Sequence, residues 1–259
     1  MDGKRVGIDW ETFENVLIVT IDIQQRRNAL NVEAHYCLSE LFDEFSANSN
    51  LKVAIITGAG DKAFCAGSDL SIKVGLKRDS LPPSGFGGLT ERFDLIKPVI
   101  AAVNGDAIGG GLEIVLACDL CVASRNARFA LPEPRVGLAA SGGLHRLMRQ
   151  ISEKHAKELA LTAQMFSAEA AYRFGLVNVL CDQGSVLPQA LSLAQEICKG
   201  APLAVQATKQ MMDQGREKAE LETAYAETYT AFERMIDSKD SNEGREAFLE
   251  KREPQWRSE

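Results

Sequence analysis

The sequence predicts an α/β fold closed by a helical tail, and three observations carry that reading. Short apolar runs of strand character alternate with Gly-containing turns and with segments whose apolar residues recur at helical spacing. The alternation stops near Pro188, beyond which no strand signal appears. The chain has 259 residues, 45% of them hydrophobic and 25% charged, enough to bury a full core and too apolar for disorder. No low-complexity segment or linker splits it, so a core over residues 1–200 and a helical region over 201–259 are expected.

Val6 to Trp10 and Val16 to Ile23 read as two strands joined by a turn at Glu14-Asn15. From Val32 to Phe45, apolar residues at 34, 37, 38, 41, 42 and 45 mark one face of a helix. Val53 to Thr57 is a short apolar run ending in Gly58-Ala59-Gly60, hence a buried strand and a turn. Residues 74–88, with Pro82-Pro83 and four glycines, read as a mobile surface loop. Pro98 to Val103 is a second buried strand, and Gly109-Gly110-Gly111 opens an apolar helix from about Leu112 to Cys118. Leu120 to Ala123 and Ala127 to Leu131 are strand-like. Ser152 to Leu161 and Ala168 to Phe174 are helical, with Gly175 placed as a C-terminal cap, and Val177 to Cys181 is the last strand.

Composition narrows the function. Lys plus Arg is 29 and Asp plus Glu is 36, a formal charge of −7. That balance argues against non-specific binding to nucleic acid or to an anionic membrane, and taken alone it disfavours a polyanionic small ligand. The first residues lead into alternating sequence, not a signal-peptide apolar run, and no apolar stretch is long enough to span a bilayer. Six cysteines are scattered, and the Cys118-x-x-Cys121 pair has neither a second pair nor a nearby His, so it reads as reduced packing. His35, His145 and His155 form no ligand cluster by spacing. The expectation is a soluble, cytoplasmic protein without a metal.

Three segments hold residues suited to chemistry. In Asn104 to Glu113, three glycines follow a strand and open a helix. Glycine lets a ligand approach the backbone, and the first amides of a helix lack internal partners at the positive end of the dipole. Such amides suit an oxygen that becomes anionic, and equally the glycines serve close packing of helix on sheet. Glu113 tilts the balance, because the residues after it are apolar nearly all round the helix. A buried carboxylate is costly unless paired or kept for work, and burial raises its pKa towards the range of proton transfer. In Ala63 to Leu70, an Ala-Gly-Ser turn before Asp69 offers another amide, although a plain turn with Asp69 as N-cap explains it in isolation. Glu133, after Phe129-Ala130-Leu131-Pro132, reads alone as a surface acid.

Taken in order, these segments resemble the crotonase superfamily, the enoyl-CoA hydratases and isomerases. The resemblance runs from Arg26-Arg27-Asn28-Ala29-Leu30-Asn31 through Phe64 to Leu70, Lys97 to Gly105, Gly109 to Glu113, Phe129 to Glu133 and Ser141-Gly142-Gly143, to Ser241 to Arg252. Gly85 to Glu91 and Glu250 to Trp256 are similar in particular to its crotonobetainyl-CoA hydratase (carnitinyl-CoA dehydratase) branch. The resemblance implies a ClpP/crotonase-like spiral of ββα turns with a C-terminal helical trimerisation region, assembled as a homotrimer or as a hexamer of two trimers. It implies an acyl-CoA thioester substrate, with CoA part of the substrate and no separate cofactor.

By matching position, the thioester carbonyl would be polarised by the amides of Ser68 and Gly110, and Glu113 and Glu133 would be the two glutamates of a hydratase. CoA would be held by Arg27 at the phosphates, by backbone around Ala29 and from Ala66 through Asp69 to Leu70 at the adenine, by Leu30, and by Phe248 and Lys251 of the last helix. Ser141 would lie near the acyl group. Here the turn reads Leu138-Ala139-Ala140-Ser141, where many hydratases have a Gly- or Asp-containing turn, so the acyl substrate is left open. An isomerase using one glutamate and a non-catalytic CoA-binding member are the alternatives. A dinucleotide-binding dehydrogenase is disfavoured, because the glycine triplet lacks Gly-x-Gly-x-x-Gly spacing.

Overall fold

A computed structural model describes residues 1–69 and 80–259. Two sheets form its centre. The first has seven strands: β1 (Gly3–Arg5), β2 (Ile8–Phe13), β3 (Val16–Ile21), β4 (Val53–Gly58), β6 (Val99–Val103), β8 (Leu120–Ser124) and β11 (Val179–Cys181), side by side in that order. β1 to β3 are antiparallel, and from β3 onward each pairing is parallel, with Ile18 opposite Ile55 and Ile55 opposite Ile100. The second sheet has four strands, β10 (Phe166–Ser167), β9 (Arg128–Ala130), β7 (Asp106–Ile108) and β5 (Ala63–Cys65), in that order. Parallel strands are covered on both faces, which explains why β4 and β6 are continuous apolar runs with every residue buried.

Helix α1 (Val32–Ala47) covers one face and buries the six apolar positions that its periodicity marks. The Asn31 side chain accepts the Ala34 N–H at its start. At its end the buried Lys97 ammonium donates to Phe45 O at 2.8 Å and Asn48 O at 2.7 Å, answering carbonyls that lack helical partners. Helices α2 (Gly110–Ala117), α3 (Leu144–Gln150), α4 (Glu153–Thr162), α5 (Ala168–Phe174) and α6 (Val186–Cys198) follow, α6 lying against β4, β6 and β8. The tail is α7 (Pro202–Arg216), α8 (Leu221–Ala226), α9 (Thr230–Ile236) and α10 (Lys239–Glu250). Lys209 of α7 ties it to the core through Asp119 at 2.7 Å and Lys97 O at 3.0 Å. Among the described residues, no helix is long and apolar enough to cross a membrane.

Two readings of the sequence need correction. The strand expected from Val6 starts only at Ile8, because Val6 and Gly7 both take positive φ, 47° and 76°, and form the turn of a β1–β2 hairpin. The stretch 74–88 was expected to be a mobile surface loop. Residues 74–79 lie outside the described residues, but Gly85 to Thr90 are buried. Phe86 packs its ring on His35, centroids 4.3 Å apart, and the Gly87 N–H donates to His35 Nδ1 at 3.0 Å. The glycines that read as loop punctuation are there for close approach: a Cβ on Gly88 would stand 2.6 Å from the Ser39 nitrogen of α1.

Candidate active site

Two strand ends and one helix start meet at the site. After β5, the chain from Ala66 to Asp69 runs beside Leu30, with a parallel bridge between Leu30 and Ser68. Leu30 N–H donates to Gly67 O at 2.8 Å, and Asp69 N–H donates to Leu30 O at 2.9 Å. The Ser68 N–H between them is left out of this ladder. Across from it, β7 ends at Ile108 and α2 begins at Gly110, whose N–H is one of the first helical amides and has no i−4 partner. Gly67, at φ 87°, is where the two segments pass: a Cβ there would stand 3.2 Å from the Gly110 nitrogen. Among the described residues, neither the Ser68 nor the Gly110 amide donates a backbone hydrogen bond. Two unspent donors thus lie on facing segments, the arrangement that stabilises an oxyanion.

Glu113 stands in the first turn of α2 and is only 7% exposed. Its Oε1 accepts the Gly142 N–H at 2.9 Å, so the Gly142-Gly143 turn before α3 holds one of its oxygens. Burial pushes its pKa from the ordinary 4.5 to about 7, and the charge of Glu133 pushes the same way. The Gly142 and Gly143 amides and the Arg146 guanidinium partly oppose this. Glu133 opens a short 3₁₀ turn, Glu133–Val136, after β9. Its Oε1 lies 2.9 Å from where a Cβ on Gly109 would be, which brings it to the start of α2 beside Glu113. Its Oε2 is buried without a hydrogen-bond partner among the described residues, and burial raises its pKa as well. Burial raises both carboxyl groups, and the charge of Glu133 further raises Glu113, so the two are electrostatically coupled.

Arg146, missed by sequence reasoning, sits one turn beyond Gly142. Its guanidinium donates to Thr90 O and lies over the Phe93 ring, 5.3 Å from the centroid. Its i+4 spacing from Gly142 was the available signal. Also missed were Asn28 and Asn104, whose side chains hold the donor loops, and Phe86, whose ring a Cβ on Gly110 would hit.

The other expected residues divide into two groups. Arg27 is exposed at φ 52°, and its carbonyl accepts the Ala66 N–H at 3.1 Å, so Arg27, Ala29, Leu30, Ala66 and Asp69 form one rim of the site. Ser141 is exposed next to the Gly142 turn that holds Glu113. Leu70 lies outside the described residues. Phe248, 83% exposed, stands on α10, which packs on α9, and Lys251 caps its C-terminal end; among the described residues neither is joined to that rim by a hydrogen bond or ion pair. Cys118 and Cys121 are buried, and burial raises both thiols.

Two amides without backbone partners beside two desolvated carboxyl groups make an arrangement suited to polarising one oxygen and moving protons next to it. The chain belongs to the enoyl-CoA hydratase/isomerase family, whose model matches residues 11–259. It is 40% identical over 249 residues to carnitinyl-CoA dehydratase of Salmonella paratyphi A, a match covering 93% of this chain and 95% of the relative. Its fold superposes on that of enoyl-CoA hydratase from Mycobacterium tuberculosis H37Rv with a TM-score of 0.92 at 39% identity, covering 98% of this chain and 100% of the other. A probable enoyl-CoA hydratase/isomerase from Mycobacterium abscessus gives 0.91 at 41% identity, covering 99% and 100%. The spiral α/β fold expected from the sequence is therefore the observed one, and the C-terminal helices fit it.

Proposed function

We propose that the protein is an enoyl-CoA hydratase, adding water reversibly to a 2-enoyl-CoA thioester. The observation that carries this reading is the convergence of two desolvated glutamates, Glu113 and Glu133, on the helix start that also presents the Gly110 amide. An isomerase needs one such group; adding water needs one to take a proton and one to give it.

The thioester oxygen accepts the N–H groups of Ser68 and Gly110. Negative charge grows on that oxygen as the enolate forms, and each preorganised donor is worth about 10²–10³ in rate. The Glu113 carboxylate, steadied by the Gly142 N–H, orients water and takes its proton as the oxygen bonds to Cβ. Protonated Glu133 delivers its proton to Cα through the otherwise unpartnered Oε2, and the enolate collapses to the thioester. Hydroxyl and hydrogen are thus added across the double bond. The proton taken by Glu113 passes to Glu133 to restore the pair, and either glutamate is able to share the base role. CoA enters as part of the substrate, and no further cofactor is required.

Arg27 is placed to meet the CoA phosphates at the rim, and backbone near Ala29 and Ala66 to meet the adenine. The net charge of −7 does not oppose this, since local cations and helix-start amides bind anions. Phe248 and Lys251 complete the CoA site from a neighbouring copy. The tail supports assembly as a homotrimer or a hexamer of two trimers, because Met212 of α7, Leu221 and Tyr225 of α8, and Phe248 and Leu249 of α10 are strongly exposed large side chains. Six free cysteines fit a reducing compartment such as the cytoplasm.

The test is a panel of 2-enoyl-CoA and 3-enoyl-CoA thioesters, crotonyl-CoA and crotonobetainyl-CoA among them, followed by loss of the conjugated thioester absorbance. Hydration by the native enzyme that falls at least about 100-fold in Glu133→Gln and in Glu113→Gln supports the reading. Full hydration by Glu133→Gln would overturn the assigned roles, and double-bond migration without water uptake would make the protein an isomerase.

A further inference from the structure

Two buried asparagines meet at one carbonyl, that of Ala63 in β5. Asn28, 1% exposed, donates from Nδ2 to Ala63 O at 2.8 Å and Ala59 O at 3.1 Å, while its Oδ1 accepts the Ile23 N–H at 3.0 Å. Asn104, also buried, donates from Nδ2 to Gly60 O at 2.8 Å and, at 3.4 Å, to the same Ala63 O. Its Oδ1 accepts the Gly58 N–H at 3.0 Å. Every polar side-chain atom of both residues is thus engaged with the backbone.

Each asparagine belongs to the loop that serves a different oxyanion donor. Asn28 lies in the turn whose Arg27 and Leu30 are laced to Ala66, Gly67 and Asp69, the residues around the Ser68 amide. Asn104 begins the turn from β6 to β7, and β7 leads directly to Gly110. Strand pairing alone does not fix how these loops face each other. β5 pairs with β7 through an irregular register between Ala63 and Cys65, so the ladder slips just before the Ser68 segment. The Asn28 backbone, at φ 58° beside Arg27 at φ 52°, is in a conformation that persists only where surrounding bonds impose it.

We infer that Asn28 and Asn104 are positioning residues, a paired clamp on the Ala63 carbonyl that sets the separation and aim of the Ser68 and Gly110 N–H groups. The inference rests on the thioester reading above and deepens it. Neither side chain touches the reacting atoms; both act through the backbone between the donors. The clamp explains why the site spends two fully satisfied buried amides on one carbonyl of a three-residue strand.

The experiment uses the full-length protein and its Asn28→Gly, Asn104→Ala and doubly substituted forms. Glycine keeps the left-handed backbone at position 28 and removes only the side chain. Two readouts are taken on folded protein: kcat and KM for hydration of crotonyl-CoA, and the absorbance maximum of a bound aminocinnamoyl-CoA, whose conjugated thioester moves to the red when its carbonyl is polarised. The native enzyme is expected to hydrate and to give the red shift. Each single variant is expected to lose part of the shift and about 10–100-fold in kcat, with KM nearly unchanged. The double variant should fall little further than the worse single, because both side chains act through the same carbonyl. Single variants that keep the full red shift, or whose kcat falls only with the fraction unfolded, would overturn the clamp. A native enzyme that neither hydrates nor shifts the chromophore would instead remove the thioester reading on which the clamp depends.

Discussion

Glu113→Gln should make the protein inactive and more stable at the same time. The native carboxyl sits 7% exposed among the apolar residues of α2, and its pKa rises from 4.5 to about 7. The sign follows from proton uptake. Between pH 4.5 and 7 the folded chain holds this proton more firmly than the unfolded chain, so native stability falls as pH rises through that window and stays low above it. At 1.36 kcal/mol for each tenfold change, ionising the buried group costs about 3 kcal/mol of folding free energy at pH 8.5 and under about 1 kcal/mol at pH 5. Glutamine keeps the shape and still accepts the Gly142 N–H through its own oxygen, but it carries no charge to desolvate. The expected outcome is a midpoint of thermal unfolding raised by about 6–12 °C at pH 8.5, with most of the gain gone at pH 5. Circular dichroism melts of both proteins at the two pH values read it directly. A glutamine variant no more stable than the native protein at pH 8.5, or one equally stabilised at both pH values, would refute the account of Glu113 as a buried acid held at a cost.

The Phe86 ring blocks any side chain at position 110, so Gly110→Ala should cost about 1–3 kcal/mol in urea unfolding along with most of the activity, and Phe86→Leu in the same chain should recover part of the stability. Lys97→Met removes the cation that serves Phe45 O and Asn48 O; taking this donor from the buried Phe45 O, and leaving Asn48 O with the Leu51 N–H, should cost about 1–3 kcal/mol and speed amide exchange in the last turn of α1. Asp240 accepts the N–H groups of Arg257 at 2.8 Å and Ser258 at 2.9 Å, so Asp240→Ala should free the C-terminal residues, seen as faster trimming by a carboxypeptidase with the core intact.

The legible parts of the sequence were those where one physical requirement acts alone. The periodicity from Val32 to Phe45 identified the buried face of α1 because a helix on a sheet has one side to hide. β4 and β6 were legible as apolar runs because parallel strands are covered on both faces. Glu113 was legible because a carboxylate in an apolar helix conflicts with its neighbours. Glu133 was not, since its local sequence is that of a surface turn and its close approach is to Gly109, distant in sequence. Gly85 to Thr90 misled for the opposite reason: glycine marks both a flexible turn and a backbone pressed against a helix, and only His35 and Ser39, from a segment some fifty residues earlier, decide which. Asn28 and Asn104 were read as parts of motifs, and their convergence on Ala63 is a property of the loops in space.

The site separates two tasks that impose opposite demands. Polarising an oxygen needs donors that do not move, and in the proposed reading backbone serves: amides without backbone partners among the described residues, set by glycine and held by side chains that are themselves fully bonded. Moving protons needs groups that change charge, and in the proposed reading two carboxyl groups serve, both raised by burial. The first task adds rigidity, because each asparagine bond that aims a donor also ties two loops of the core together. The second subtracts stability, because every pH step that readies Glu113 as a base charges a group inside an apolar helix. Stability and catalysis are therefore opposed at the glutamates and aligned at the asparagines. Substitutions should show it: removing a glutamate trades activity for stability, whereas removing a clamp loses both.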